Sequence, residues 1–327
     1  MRSARTCVVS VSYRGAADTV ACVRSLLASE ALVEIVVVDT TPNDPELQAA
    51  LELFPFVTLI RADENVGFGR GNNLGIEWAL NHSRCEFVFL LNNDATVYPE
   101  SIGHLEAAMS CNAGAGIMTP RIAYLDDPQK LWYGGGEIDW RRTSAFTPGF
   151  NQSAQAKLAM TERDVTFASG CALFVRASVF GKLGGFDPRF FMYEEDLELC
   201  LRAREMGIRI RYIPRSLILH RVQGSDPGAA GGAGNMWSVE NEKLPFYAFH
   251  MIRNRLLNVY LHARGRNLLT AMIFFPLFIL RRAIPFLWGR RPDAVMAMFQ
   301  GMADFWRTRR GAEVRQGLAK RDTSANG

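Results

Sequence analysis

Six cysteines, Cys7, Cys22, Cys85, Cys111, Cys171 and Cys200, are scattered over the 327 residues with no CxxC pair among them. That spacing indicates neither a zinc site nor a disulfide framework and marks most of them as small core residues. Long apolar runs are also scarce. The longest covers 268–280, contains Pro276 and falls short of the roughly 17–25 residues of a membrane-spanning helix. The start, Met1 to Arg5, is basic, but the apolar stretch behind it stops at Arg14 with no small-residue cleavage site. An unsecreted, cytoplasmic chain is expected. Glycine (28) and proline (14) are too few for collagen-like or disordered classes, and no internal repeat is visible.

The chain does contain 48% hydrophobic and 21% charged residues, enough to bury the core of one large domain or two modest ones. Its net charge of +4 hides an asymmetry. Between Met251 and Arg321, 14 Lys or Arg face only Asp293, Asp304 and Glu313, a local +11 that leaves −7 for the rest. The basic residues interleave with Phe274, Phe275, Phe278, Phe286 and Trp288. This suits an anionic membrane surface better than a nucleic-acid groove, so no nucleic-acid partner is expected. The solvated face of an ordinary surface helix gives the same composition.

The first half alternates in period. β-Branched or apolar runs at 6–13, 34–39, 56–61 and 87–91 predict strands, and helical patterns at 18–27, 44–54 and 69–81 lie between them. Near-continuous apolar strands predict an α/β, mostly parallel sheet covered on both faces. Ligands in such sheets bind beyond the carboxyl ends of the strands, where Ser12, Tyr13, Asp39, Asn92, Asn93 and Asp94 fall. The stretch 119–165 reads as irregular, with short strands. A strand at 171–176, a helix from about Glu194 to Gly207, and strands at 208–213 and 217–220 follow. The glycine-rich segment 222–235 reads as a flexible loop and a lid. Helices are predicted near 241–263, 266–288 and 293–310.

Several residues are placed for chemistry. Asp39, ending a strand, suits hydrogen bonds from a ribose or base, or a helix N-cap. Asp94 beside two amides suits one Mg²⁺ or Mn²⁺ shared with a diphosphate, although Asn-Asn-Asp is also a common turn. In 63–75 (DENVGFGRGNNLG) the glycines would let backbone approach a ligand at a helix N-terminus, with Arg70 as a fork for phosphate. A dinucleotide fingerprint would need its glycines directly after the first strand, where Ser12, Tyr13, Arg14 and Gly15 stand. The acidic cluster Glu194, Glu195, Asp196 and Glu198 opens a helix. The helix dipole accounts for part of it, and a remaining carboxylate, its pKa raised by repulsion, suits a general base. His220 suits the same metal, a phosphate, or a structural role.

Taken in order, VVSVSYRG, VVVDTTPND, ENVGFGRGNNLGI, FVFLLNNDATV, ASGCALFVR, GGFDPRFFMYEEDLELCLRAREMG and LHRVQGS cover about residues 5 to 225. Their sum resembles the inverting family 2 glycosyltransferases of GT-A fold, in particular the rhamnosyltransferase-like branch that builds cell-surface polysaccharides. The resemblance implies a doubly wound, mostly parallel sheet with C-terminal helices. It divides the chain into a catalytic domain at 1–235 (nucleotide-sugar half 1–98, acceptor half 99–235), a membrane-associating helical region at 236–310 and a disordered basic tail at 311–327. It also implies Asp196 as base with Glu195 beside it, and Asp94 with His220 on Mg²⁺ or Mn²⁺. Asp39 would meet the nucleoside, and Ser12, Tyr13, Asn65, Gly67, Arg70, Asn72, Asn92 and Asn93 would line the nucleotide-sugar site. The family's acidic metal triplet often begins with a carboxylate where this chain has Asn92. The implied partners are a nucleotide-sugar donor, best dTDP-rhamnose and otherwise a UDP-hexose, and a lipid-linked saccharide or polysaccharide acceptor. An anionic inner membrane face on which the protein is peripheral, and copies of the chain in a homo-oligomer, complete the set. A nucleotidyltransferase would show a lysine-rich glycine loop after the first strand. A non-catalytic binding module would be free to lose Asp94 or Asp196.

Overall fold

The structure, a computed structural model, describes residues 4–42, 45–222 and 236–324, with side chains as far as 309. Two compact units divide the chain, one of Met1–Ile138 with Ala145–Ala233 and one of Asp139–Ser144 with Gly234–Gly327. In the first, β1 (Thr6–Ser12), α1 (Ala16–Leu27), β2 (Val33–Asp39), α2 (Pro45–Leu51), β3 (Val57–Arg61), α3 (Gly67–His82) and β4 (Phe87–Leu91) alternate. β1 pairs in parallel with β2 and β4, and β2 with β3. Cys7, Val8, Val9, Val36, Val37 and Val88 are fully buried, as expected of strands covered on both faces. The chain moves outward from β1 to β3, then returns to place β4 on the other side of β1. Such a reversal opens a crevice beyond the carboxyl ends of the strands that flank it, here β1 and β4.

The second half of this unit runs β5 (Ala95–Val97), α4 (Ser101–Cys111), β6 (Ala115–Tyr124), β7 (Leu131–Tyr133), β8 (Glu137–Asp139), β9 (Ser144–Phe146), β10 (Arg163–Val165), β11 (Ala172–Arg176), α5 (Ala177–Leu183), α6 (Glu195–Glu205) and β12 (Arg209–His220). The main sheet has the order β10-β12-β6-β11-β4-β1-β2-β3, and β8 pairs with β9 apart from it. β11 is antiparallel to β4 and β6, whereas β6 and β12 are parallel. This antiparallel insertion brings the chain at 169–171 beside the end of β4.

Two expectations change here. Residues from 119 were read as irregular, yet β6 is a ten-residue strand buried throughout. Gly116, Pro120 and Arg121 break its apolar pattern, and its burial comes from lying between β11 and β12. The strands expected at 208–213 and 217–220 are one strand, β12, with a register shift between Ile213 and Leu217. The proposed lid, apart from Val222, lies outside the described residues.

Helix α3 packs on the sheet through absent side chains. A Cβ at Gly75 would lie 2.2 Å from Val9 Cγ1, and one at Gly71 would lie 2.8 Å from Val11 Cγ1. The helix therefore comes closer to β1 than any other residue there permits.

The second unit contains α7 (Leu244–His262), α8 (Gly265–Trp288) and α9 (Pro292–Ser324). Leu244, Ala248, Ile252, Phe286, Ala294 and Met298 are the centre of its core. The backbone of α9 continues to Ser324, in a stretch rich in good helix formers (AEVRQGLAKR). α8 also departs from expectation. Arg281 and Arg282 interrupt the apolar run without interrupting the helix, so its 24 residues are long and apolar enough to cross a membrane by length and composition.

Gly75→Ala should lower stability by about 1–3 kcal/mol, the usual cost of overpacking a core, and Val9→Ala added to it should restore part of that loss. Thermal unfolding of the two variants and the double variant checks this. An unchanged melting temperature in Gly75→Ala would contradict the close packing.

Candidate active site

The carboxyl ends of β1, β2 and β4 carry the first group of site residues. Ser12 is buried and its Oγ accepts a hydrogen bond from Thr19 Oγ1 at 2.9 Å. Asn93 Nδ2 donates to the same Thr19 hydroxyl at 3.0 Å. Ser12 and Asn93 therefore tie the start of α1 to the sheet. Tyr13 is partly exposed and carries the Arg14 guanidinium over its ring at 5.3 Å. Asp39 is 1% exposed. Its Oδ1 accepts the Thr41 N–H at 2.9 Å, while its Oδ2 is buried with no partner among the described residues. A buried, unsatisfied carboxylate oxygen costs free energy unless something binds it, so Asp39 is poised to accept a hydrogen bond from a ligand.

At the end of β4, Asp94 Oδ1 lies 3.0 Å from His220 Nε2, the last residue of β12. Asn92 Nδ2 approaches that nitrogen at 3.5 Å, and Asn92 Oδ1 is buried without a partner among the described residues. Burial opposes a charge on His220, but the Cys171 sulfur and the Asp94 carboxylate outweigh it and hold its pKa well above the ordinary value. The Trp132 ring packs edge-on against the imidazole at 4.6 Å. Beside this pair, Arg221 Nε meets Asp18 Oδ1 at 2.9 Å. Burial raises the Asp18 pKa, Arg221 pulls it down and the neighbouring Asp94 charge raises it further. Asp18, Arg221, Cys171 and Trp132 escaped the sequence reading. Asp18 looks there like an ordinary first-turn carboxylate, and the other three only acquire meaning from β11, β7 and β12 converging on His220.

α6 brings the remaining carboxylates. Tyr193 and Glu194, which precede it, have φ of 69° and 67°, a left-handed conformation that costs non-glycine residues roughly 1–2 kcal/mol each. Asp196 Oδ2 accepts the Gly170 N–H at 2.9 Å and its Oδ1 the Leu197 N–H at 2.8 Å. Burial pushes its pKa up to about 6, against the Gly170 hydrogen bond and with help from the Glu194 charge. Glu195 is 5% exposed, with Oε2 unpartnered among the described residues. Burial and then the Asp196 charge raise its pKa well above the ordinary carboxylate value. The two halves of the site meet at 170–171: Gly170 N–H holds Asp196, and the Cys171 carbonyl accepts the Asn92 N–H at 2.9 Å.

The glycine-rich segment makes close contacts within the unit. Asn65 Oδ1 caps the Gly67 N–H at 3.0 Å. Gly67 has φ +79°, and a Cβ there would lie 2.2 Å from the Phe191 carbonyl oxygen. Asn72 is buried and donates back to the Phe68 carbonyl at 3.0 Å. Arg70 Nε donates to the Pro188 carbonyl at 3.0 Å, on an exposed side chain. Asn73, which sequence reasoning passed over, exchanges two hydrogen bonds with the Phe186 backbone, at 2.9 and 2.7 Å. The start of α3 thus grips 185–191, the segment that leads into Asp196. Asn65, Gly67, Arg70 and Asn72 all take part in or beside this grip.

Among the described residues no three His, Cys, Asp or Glu side chains form a metal cluster. Asp94, His220 and the orphaned Asn92 Oδ1 are nevertheless a fitting partial set, because Mg²⁺ takes only one or two carboxylates and leaves other positions to water and phosphate oxygens.

Residues 7–184 match the model of the family described as "Glycosyl transferase family 2". An N-acetylglucosaminyl-diphospho-decaprenol L-rhamnosyltransferase of Mycobacterium tuberculosis H37Rv is 32% identical over 244 residues, covering 68% of this chain and 78% of that protein. The low-salt glycan biosynthesis hexosyltransferase Agl10 of Haloferax volcanii is 26% identical, over 62% of each chain. Among solved structures, GalNAc-T7 with UDP, GalNAc and Mn²⁺ superposes with a TM-score of 0.55 at 18% identity, over 76% of this chain and about half (52%) of that one. S. aureus TarS 1-349 does so with a TM-score of 0.52 at 13% identity, over 82% of this chain and 70% of that one. These structural likenesses bear on the fold alone, and with the sheet order they identify it as the mixed, mostly parallel α/β fold of GT-A type, followed by C-terminal helices. The chain belongs to glycosyl transferase family 2 and is a glycosyltransferase.

Proposed function

We propose that this glycosyltransferase inverts configuration and moves rhamnose, carried as dTDP-rhamnose, onto a hydroxyl of a lipid-linked saccharide in cell-surface glycan synthesis. The observation that carries the reading is Asp196, a carboxylate set by two backbone N–H groups at the opening of α6, with its pKa pushed up to about 6. A base with a pKa near working pH is deprotonated enough to act and basic enough to accept a proton. The named activity of the Mycobacterium tuberculosis relative, rhamnosyl transfer to a diphospho-decaprenol saccharide, supports the donor and acceptor classes. A lipid-linked acceptor goes with a peripheral enzyme on the inner face of the cytoplasmic membrane.

The chain's own groups divide the work. Asp196 takes the proton of the acceptor hydroxyl as that oxygen attacks the anomeric carbon, while the bond to the diphosphate oxygen breaks on the opposite face. The sugar inverts and the nucleoside diphosphate leaves with the bonding pair. Asp39 Oδ2 accepts a hydrogen bond from the nucleoside. Gly170 N–H keeps the Asp196 carboxylate aimed, and Glu195, its pKa raised by burial and by the Asp196 charge, lies beside it. Asp94, His220 and Asn92 are the residues that would hold Mg²⁺ or Mn²⁺ with the diphosphate. When bound, such an ion neutralises charge developing on the leaving group, worth several kcal/mol.

Asp196→Asn should lower kcat by about 10²- to 10⁴-fold while leaving donor affinity unchanged; near-normal turnover in a radiolabelled sugar-transfer assay would sink the assignment. Because protonation removes the base, kcat/KM should fall with unit slope as pH drops through about 6, and should be flat above it. A pH–rate profile whose acid limb stays near the ordinary carboxylate range would place the base elsewhere. Asp94→Ala should weaken nucleotide-sugar binding in Mg²⁺ and leave it unaltered in chelator. Calorimetric titration with dTDP-, UDP- and GDP-sugars reads both this and the donor class, and equal affinity with and without metal in the unmodified protein would remove Asp94 from the metal site.

A further inference from the structure

α8 has two faces of different character. Phe275, Phe278, Ile279 and Phe286 pack into the core of the second unit, and Arg282 lies over the Trp237 ring at 4.6 Å. The other face carries Leu269, Ile273, Leu277, Leu280, Ile284 and Leu287, each 47% exposed or more. Their spacing of three and four residues forms one stripe about 27 Å long at 1.5 Å per residue. An exposed apolar stripe of this size marks a contact surface.

Charge selects the occupant. From Lys243 to Pro292 the sequence holds nine Lys or Arg and no Asp or Glu. Arg264, Arg266, Arg281 and Arg290 are exposed on or beside α8. A second copy docking along this stripe would bring the same arginines with acids only at one end, Glu242 and Asp293, the latter already paired with Arg291, whereas anionic lipid headgroups supply the opposite charge along its whole length. α8 is also unable to stand across the bilayer in its present packing. α7, which shares its core, buries Arg253, Asn254, Arg255 and Asn258, and Arg253 is ion-paired with Asp304 of α9 at 2.7 Å. Moving α8 to the bilayer centre would carry these groups with it, at high cost.

We propose that α8 is an in-plane membrane helix, its Leu269–Leu287 stripe sunk among the acyl chains of an anionic leaflet and its arginines at the headgroups. This deepens the reading of a lipid-linked acceptor, although the helix itself carries the argument. The test is co-flotation of the full chain with vesicles of phosphatidylcholine alone or mixed with phosphatidylglycerol, together with quenching of tryptophan fluorescence by brominated lipid. Binding is expected only to the anionic vesicles, with quenching that Trp288→Phe reduces. The double variant Leu277→Glu, Leu280→Glu changes exposed positions only and should bind about tenfold or more weakly, with unchanged circular dichroism and donor affinity. Three results would overturn the inference: no flotation, a dimer in light scattering that the double variant dissociates, or resistance to alkaline carbonate extraction, which marks a spanning helix. Transfer to a water-soluble acceptor analogue separates the two claims. If it persists without vesicle binding, the transferase stands and the membrane helix falls; if vesicles bind but no donor does, the reverse holds.

Discussion

Keeping a carboxylate out of water while leaving it able to take a proton is the constraint that organises the first unit. Asp196 meets it with two backbone N–H donors, which favour the ionised form, set against burial, which disfavours it. The balance leaves its pKa at about 6. Glu195, one residue earlier, lacks comparable support for its Oε2, and burial raises its pKa well above the ordinary carboxylate value. Burial thus raises both neighbouring acids, and Asp196 is the one with two backbone donors opposing it.

The surrounding architecture serves that placement. Gly170 sits just before β11, and the antiparallel insertion of β11 beside β4 is what brings its N–H to Asp196 and the Cys171 carbonyl to Asn92. From the other side, the start of α3 grips 185–191 through Asn73, Gly67 and Arg70. Glu198 and Arg202 of α6 form an ion pair at 2.6 Å, and Arg202 reaches the Gly185 carbonyl at 2.8 Å. With both ends of the loop fixed, the left-handed conformations of Tyr193 and Glu194 can be sustained. Strain of this kind persists only where the surroundings over-determine it.

The second unit follows a different logic. Its core is small and apolar, and its polar groups are concentrated on α7, where Arg253 pairs with Asp304 and with the Asn254 amide. α8 has the inverse distribution, with much of its apolar surface facing outward. An ordinary water-soluble bundle would turn that surface inward.

Much of this was legible in the sequence. The apolar runs of β1, β2 and β4 with helical patterns between them determine a covered parallel sheet, because few other arrangements bury such strands. The same pattern puts Asp39 and Asn92 to Asp94 at strand ends, and seven motifs in order identify the family. β6 was hidden because Gly116, Pro120 and Arg121 mask a strand that only its neighbours bury. Glycine in the stretch at the start of α3 marks close approach without saying to what; the tertiary structure shows Phe191, Val11 and Val9 among its close neighbours. Local pattern determines secondary structure and strand-end positions, since those depend on residues a few places apart. Which carboxylate reaches the Gly170 N–H, and which partners Asn93 and His220 find, were decided by contacts between residues from some twenty-six to more than a hundred positions apart, and only the folded chain supplies them.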